Sequence, residues 1–211
     1  MRYTVLKVTD AGVVLFDAHR ERLGAAWGDA FDAFSREAEP GIYALRVEGD
    51  ALRVTRREGS RLMNGMSVRF ATSPIAGSVG ARAKAPPPSP WDAVRTPGVA
   101  QLLTSSDGRE IFEACSAAVL AWDGGVLVAT PEPSPRSASI TESYLLARHP
   151  HRREPLLVDA APPLVLVNAV VGVCVPHVVG RRRFPREVVE ALRATLEGSA
   201  RRAPSGSPSA R

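Results

Sequence analysis

Apolar and polar positions along the chain fall into two rhythms, alternation and helical spacing, and the breaks between them carry glycine, proline or aspartate. The opening stretch RYTVLKVTDAGVVLF predicts two short strands around a TDAG turn, because Tyr3, Val5 and Val8 alternate loosely and Val13 to Phe16 form an apolar run. Asp17 stands at an N-cap position ahead of AHRERLGAAWGDAFDAFSREAE, where Leu23, Trp27, Phe31 and Phe34 recur at helical spacing, so one amphipathic helix is predicted as far as Pro40-Gly41. GIYALRVEG and ALRVTRRE alternate on either side of Gly49-Asp50 and predict an antiparallel hairpin, with MSVRFATS as a further strand. The segment SPIAGSVGARAKAPPPSP is too rich in Gly, Pro and Ala for a core element and reads as a crossing between two halves.

The second half opens with WDAVRTPGVAQLL, a helix-like pattern that Pro97 must kink or end. GREIFEACSAAVLAW, the turn DGG and VLVAT predict a β-meander, and LVLVNAVVGVCVPHVV predicts two more buried strands around Asn168 and Gly172. PREVVEALRATLEG is an amphipathic helix with Pro185 at its start and Gly198 past its end. SARRAPSGSPSAR is expected to be a disordered polar tail. The sum is a two-domain α+β chain: a small N-terminal sandwich over 1–80, a barrel-like β-rich domain over 81–198, and a tail over 199–211.

Composition narrows this picture. With 45% hydrophobic and 23% charged residues the chain reads as an ordinary globular protein. No run reaches the apolar length of a membrane helix, and MRYTVLKVTD has no apolar segment after a basic start, so a cytoplasmic location is expected. Cys115 and Cys174 lack metal-ligand spacing and read as reduced thiols. The net charge of +5 does not argue for nucleic acid, since the arginines are scattered and no aromatic stacking motif flanks a basic strip; a surface that draws small anionic substrates fits it. Trp27, Phe31 and Phe34 form an apolar helix face that a small sandwich is expected to need a partner to cover, which points to a homodimer.

Three residues carry candidate chemistry. Lys84 is one of only two lysines, with Lys7, among 27 basic side chains, and lysine can do what arginine cannot: lose its proton when desolvated and act as a nucleophile. Its other reading is a solvated residue in a proline-rich linker. Glu113 lies among Phe112, Ala114 and Cys115 in a strand, where a carboxylate either points to water from an edge or meets a cationic or donor partner. Arg22, three residues after His19 on the first helix, presents a donor fork suited to phosphate, or is a solvated helix arginine.

Taken in order, H-x-x-R-L on the first helix, the lysine at the crossing and the glutamate of EACSAA before a DGG hairpin resemble the class IV pyridoxal-phosphate enzymes. That group includes branched-chain and D-amino-acid aminotransferases and aminodeoxychorismate lyase. The resemblance runs from about Tyr3 to Leu196 and implies a fold-type IV architecture with pyridoxal 5'-phosphate (PLP) as cofactor and an active site near a homodimer interface. It implies that Lys84 carries the cofactor, that Glu113 keeps the pyridine nitrogen protonated, and that Arg22 binds the phosphate. Within the family the chain looks more like the lyase, which makes 4-aminobenzoate for folate biosynthesis. Thr4 stands where branched-chain aminotransferases tend to place glutamate, small residues follow Glu113, and Asn168-Ala169 replace a usual Thr or Ser. The resemblance thus implies that Thr4 assists proton transfer and that Asn168 and Ala169 lie beside the cofactor.

The family pattern is not kept throughout. Ala118 stands where an asparagine is common, APPPSP follows Lys84 in place of a helical continuation, and the sequence begins where the family usually has a preceding hairpin, so either Met1 is a late start or that hairpin is missing. PRSASITES replaces a Gly-containing phosphate loop, leaving Ser137, Ser139 and Thr141 as candidate donors. Arg82, Arg95 and Arg181 to Arg183 are candidates for gripping substrate carboxylates, with solvated surface charge as the other reading. Transamination of an amino acid and a cofactor-free member of the fold are the alternatives to the lyase.

Overall fold

The computed structural model describes residues 2–59, 62–77, 89–160, 162–178 and 182–205. The chain divides into two units, Met1–Gly59 together with Leu196–Arg211, and Ser60–Thr195. The expected divide at 80 therefore gives way to one at Gly59, and the C-terminal segment joins the first unit.

In unit 1, β1 (Tyr3–Thr9), β2 (Gly12–Val13), β3 (Gly41–Glu48) and β4 (Ala51–Arg57) form an antiparallel sheet in the order β2-β1-β3-β4. The alternating residues predicted these strands because one face is buried: Leu6 and Val8 of β1 and Tyr43 and Leu45 of β3 pack with Phe16, Leu23 and Phe31. The single long helix does not form. It breaks into α1 (Phe16–Leu23) and α2 (Gly28–Glu37), with a 3-10 turn Ala25–Trp27 between them. Gly24, at φ 92°, makes a break that helical spacing alone does not register. The N-cap of α1 is Leu15, whose N–H donates to the Ser199 hydroxyl at 3.0 Å, and Asp17 instead pairs with Arg201.

The aromatic helix face is covered from within. Phe16 and Phe31 lie 5.1 Å apart and Phe34 and Tyr43 5.2 Å apart by ring centroid, and Trp27 and Phe34 pack on the same core. The argument that this face needs a second subunit is thereby overturned.

The polar tail is also ordered over its first residues. Val13 and Arg201 exchange backbone hydrogen bonds of 2.9 and 3.1 Å, Ala203 is buried, and its N–H donates to Ser35 Oγ at 3.1 Å. Arg202 donates to the carbonyls of Ser35, Arg36 and Ala38, satisfying acceptors that the end of α2 leaves without helical partners. Composition marks such a segment as solvated, and carbonyls far away in sequence decide otherwise.

Unit 2 holds two sheets. One has the order β11-β7-β6-β5, formed by β5 (Val68–Thr72), β6 (Ala100–Thr104), β7 (Glu110–Ala114) and β11 (Leu156–Leu157), with β5 and β6 parallel. The other has the order β10-β9-β8-β12-β13, from β8 (Ala118–Asp123), β9 (Val126–Ala129), β10 (His151–Arg153), β12 (Leu164–Asn168) and β13 (Gly172–Cys174). A shared core of Leu102, Ile111, Val119, Val128, Leu164 and Leu166 joins them.

Three expectations change here. WDAVRTPGVAQLL is a 3-10 turn, Pro90–Ala93, followed by β6, whose five residues are all buried and so show no alternation. The meander is interrupted at Cys115–Ala117, where the chain leaves one sheet for the other. PRSASITES contains the start of a short helix, α3 (Ile140–Leu146). The last helix, α4 (Arg186–Glu197), forms as its amphipathic pattern predicts. Among the described residues no helix is long and apolar enough to cross a membrane, and both cysteines are free.

Candidate active site

Glu113 does not face water. It is 5% exposed on β7, with Trp91 Nε1 donating to Oε1 at 2.8 Å and the Ser137 backbone N–H donating to Oε2 at 3.2 Å. Burial pushes its carboxyl up to about 7, against the opposing pull of Trp91, Ser137 and the Arg136 charge. The group therefore changes charge near neutral pH.

Trp91 is itself built in. It lies in the 3-10 turn whose N-terminus is a capping box: the Ser89 N–H donates to Asp92 Oδ2 at 2.8 Å. Its carbonyl accepts from Cys115 Sγ at 3.7 Å, and Arg95 links Asp92, at 3.5 Å, to the Cys115 carbonyl, at 3.3 Å. Burial pushes the Cys115 thiol up to about 11, so it is a neutral neighbour and not a nucleophile. Arg95, a candidate for substrate carboxylates, is thus engaged in holding this turn.

The loop between β9 and α3 has its own internal partners. Ser139 caps α3, its hydroxyl accepting the Glu142 N–H at 3.2 Å, and Thr141 is buried in the first turn. Glu142, 2% exposed, is gripped through both oxygens by Arg136, 5% exposed, and by Arg153 at 3.2 Å, while Arg136 also reaches Glu132 at 3.0 Å. Asn168 serves the β12–β13 hairpin: Oδ1 accepts from the N–H groups of Val170 and Val171 at 2.9 and 2.7 Å, and Nδ2 donates to the Ser116 carbonyl at 2.9 Å. Ala169 is in that turn.

Unit 1 carries the other predicted residues. Thr4 Oγ1 lies 2.6 Å from His19 Nδ1, both buried, and Arg22 is on α1 one turn beyond, half-buried, with its pKa lowered by that burial. Lys84 lies outside the described residues, as do Arg82 and Arg181. Arg182 and Arg183 are exposed. A cavity of about 530 Å³ in unit 2, lined by Trp122, Asp123, Leu156, Pro163 and Arg182 among others, includes none of the residues predicted to hold cofactor. Among the described residues no cluster of His, Cys, Asp and Glu is placed to hold a metal.

Solved structures share this architecture. A hypothetical aminotransferase from Mycobacterium tuberculosis in its PLP-bound form matches with a TM-score of 0.63 at 16% identity, covering 94% of this chain and 88% of that one. A 4-amino-4-deoxychorismate lyase from Pseudomonas aeruginosa gives 0.64 at 16% identity, over 93% and 89% of the two chains. The fold is that of the class IV aminotransferases and lyases. A putative branched-chain amino acid aminotransferase from Thermotoga maritima gives 0.65 at 14% identity, over 93% and 84%. No family model matches the sequence, and no curated protein matches it. At such identities the class IV likeness is one of fold, and the residues must speak for chemistry.

PLP presents two ends to be satisfied. The ring end fits in its chemistry: Glu113 is a carboxylate, held by the Trp91 N–H on Oε1, the Ser137 N–H on Oε2 and the Ser137 hydroxyl, of the about four acceptor positions it offers. The phosphate end does not fit the unit 2 residues expected there. The Ser139 hydroxyl is taken up as a cap, Asn168 holds its hairpin, and Glu142 sets a carboxylate in the first turn of α3 beside the only loop arginine, Arg136.

Pattern reasoning missed Trp91, Arg136, Glu142 and Arg153. Part of the signal was present, since S-x-x-D at Ser89–Asp92 and S-x-x-E at Ser139–Glu142 are capping-box patterns that mark two turn starts.

Proposed function

We propose that the chain is a PLP-dependent enzyme that cleaves 4-amino-4-deoxychorismate to 4-aminobenzoate and pyruvate, a step of folate biosynthesis, as a cytoplasmic homodimer. The observation that carries this reading is Glu113, a buried carboxylate fixed by two donors in a fold shared with PLP-bound aminotransferases and a lyase. When bound, PLP would supply an electron sink for carbanion chemistry. Glu113 would hold the ring nitrogen protonated, Arg22 would bind the phosphate, and Lys84 would anchor the cofactor and, once free, move protons at the substrate carbons. Thr4, hydrogen-bonded to His19, would orient or pass on a proton.

The reaction balances within one substrate. The ring loses a proton, the bond from ring carbon to enolpyruvyl oxygen breaks, and the side chain gains a proton to leave as pyruvate. No keto acid is needed, which separates it from transamination, where a second substrate must accept the amino group.

Purified protein given aminodeoxychorismate and PLP is expected to release 4-aminobenzoate without added keto acid and to show visible cofactor absorbance. Lys84→Ala should abolish both. Thr4→Ala should slow release by about ten- to a thousand-fold, with Thr4→Ser closer to the parent because it keeps the hydroxyl. Conversion of an amino acid only when a keto acid is present would establish the transaminase instead. A second reading, a cofactor-free member of the fold, is favoured by the unit 2 loop whose polar groups serve one another; absence of both absorbance and turnover would establish it.

A further inference from the structure

We propose that Trp91 is the positioning residue of Glu113, its indole N–H fixing Oε1 so that the carboxylate is held as an oriented acceptor. What that acceptor would meet rests on the cofactor reading above, but the positioning does not.

The geometry is specific. The indole nitrogen lies 2.8 Å from Oε1, and both side chains are buried, Trp91 at 7% exposure. An indole N–H can only donate, so at Oε1 it favours the carboxylate and gives nothing to an acid proton there. A hydrogen bond to a charged group in a dry setting is also stronger than a neutral one. A buried indole needs some acceptor, and a carbonyl would have served. Here the acceptor is a carboxylate 22 residues away in sequence.

Trp91 is also held independently of Glu113. The Ser89–Asp92 capping box, the Arg95–Asp92 ion pair and the contact of Cys115 Sγ with the Trp91 carbonyl fix its turn. A donor that stays in place when its acceptor changes charge can orient it. The other groups facing Glu113 are the Ser137 N–H on Oε2, the Ser137 hydroxyl and the charge of Arg136, all from the loop before α3, with the neutral Cys115 thiol just past the end of β7. Arg136 is committed to Glu142 and Glu132, and the Ser137 bond is the longer of the two, so the indole is the strongest contact on the carboxylate.

The test uses the full chain without added cofactor, with 13C-labelled glutamate followed by NMR over pH and the Glu113 signal assigned by its loss in Glu113→Gln. Trp91→Phe keeps an aromatic ring and deletes the N–H. It is expected to raise the Glu113 midpoint by about one to two pH units, the size of losing one hydrogen bond to a buried charge. A midpoint that stays within about 0.3 units, well under that size, overturns the proposal. Should Trp91→Phe fail to fold, the wild-type protein decides. One of the indole N–H signals of Trp27, Trp91 and Trp122 must then shift with the Glu113 midpoint, and titration of none overturns it. Cofactor absorbance is read separately, so a protein that binds no PLP can still pass, and one that binds PLP can still fail.

Discussion

Glu113 sets the terms at the scale of single residues. Its carboxyl rises from an ordinary 4.5 to about 7, chiefly through burial, which corresponds to about 3 kcal/mol in favour of the protonated folded state. Because the folded value is the higher one, this stabilisation is complete below 4.5 and is lost as pH rises to about 7. The cofactor-free protein is therefore expected to lose about 2 to 3 kcal/mol of stability between pH 5 and pH 8 through this group alone. Glu113→Gln removes the titration, so urea unfolding at the two pH values should show a flatter dependence than the parent. Identical slopes for parent and variant would mean that the charge of Glu113 is balanced more fully than its partners suggest. The same residue defines how far local pattern reaches. Apolar neighbours in the strand left Glu113 either facing water from an edge or meeting a cationic or donor partner, and the partner is Trp91, which strand periodicity has no means of pointing to.

At the scale of elements, what was readable was local. β1 and β3 alternate because one face of their sheet packs on helices, and α4 repeats every three to four residues because one stripe is buried. β6 is buried on both faces and loses the alternation, and α1 and α2 keep a common spacing across a break made by Gly24. The C-terminal strap was unreadable for a further reason: Arg202 and Ser35 are 167 residues apart, and only the folded chain supplies the carbonyls that Arg202 caps. The strap approaches β2 so closely that a Cβ on Gly12, at φ +115°, would lie 2.3 Å from the Arg201 backbone. Truncation after Gly198 removes the Ser199 cap, the Val13 pairing, the Arg202 bonds and the buried Ala203 together. It is expected to cost about 2 to 4 kcal/mol in urea unfolding, a few hydrogen bonds and a cap at their usual worth. Gly12→Ala should act in the same direction by pushing the strap away. A truncated chain as stable as the parent would show that the strap merely rests on unit 1.

At the scale of the whole molecule the question is assembly. The aromatic face expected to demand a partner is satisfied by Phe16 and Tyr43, so a homodimer must find its interface elsewhere. One surface is built against self-association. β4 lies at the edge of its sheet, exposed along nearly its whole length, and an exposed edge strand is an open template for pairing. It carries Arg53, Arg56 and Arg57, and Val54 beside them is 42% exposed. In an antiparallel pairing of two copies centred on Thr55, Arg53 of each would stand opposite Arg57 of the other, and like charges directly opposite are destabilising. Glu48 neutralises part of this charge at the turn end, where it pairs with Arg46 and Arg53, but Arg57 has no acidic partner among the ion pairs of the described residues. The arginines thus blunt an edge whose remaining residues, Leu52, Val54 and Thr55, favour strand pairing. Replacing all three, Arg53→Thr, Arg56→Thr and Arg57→Thr, is expected to leave unit 1 folded while raising the average mass in sedimentation equilibrium above that of the parent at equal concentration. The parent, in turn, should associate more in about 1 M salt, where the Debye length of about 3 Å falls below the roughly 5 Å spacing of directly opposite side chains. A triple variant with the parent's mass at every concentration would remove the edge arginines from any account of how the β4 edge avoids pairing with a second copy.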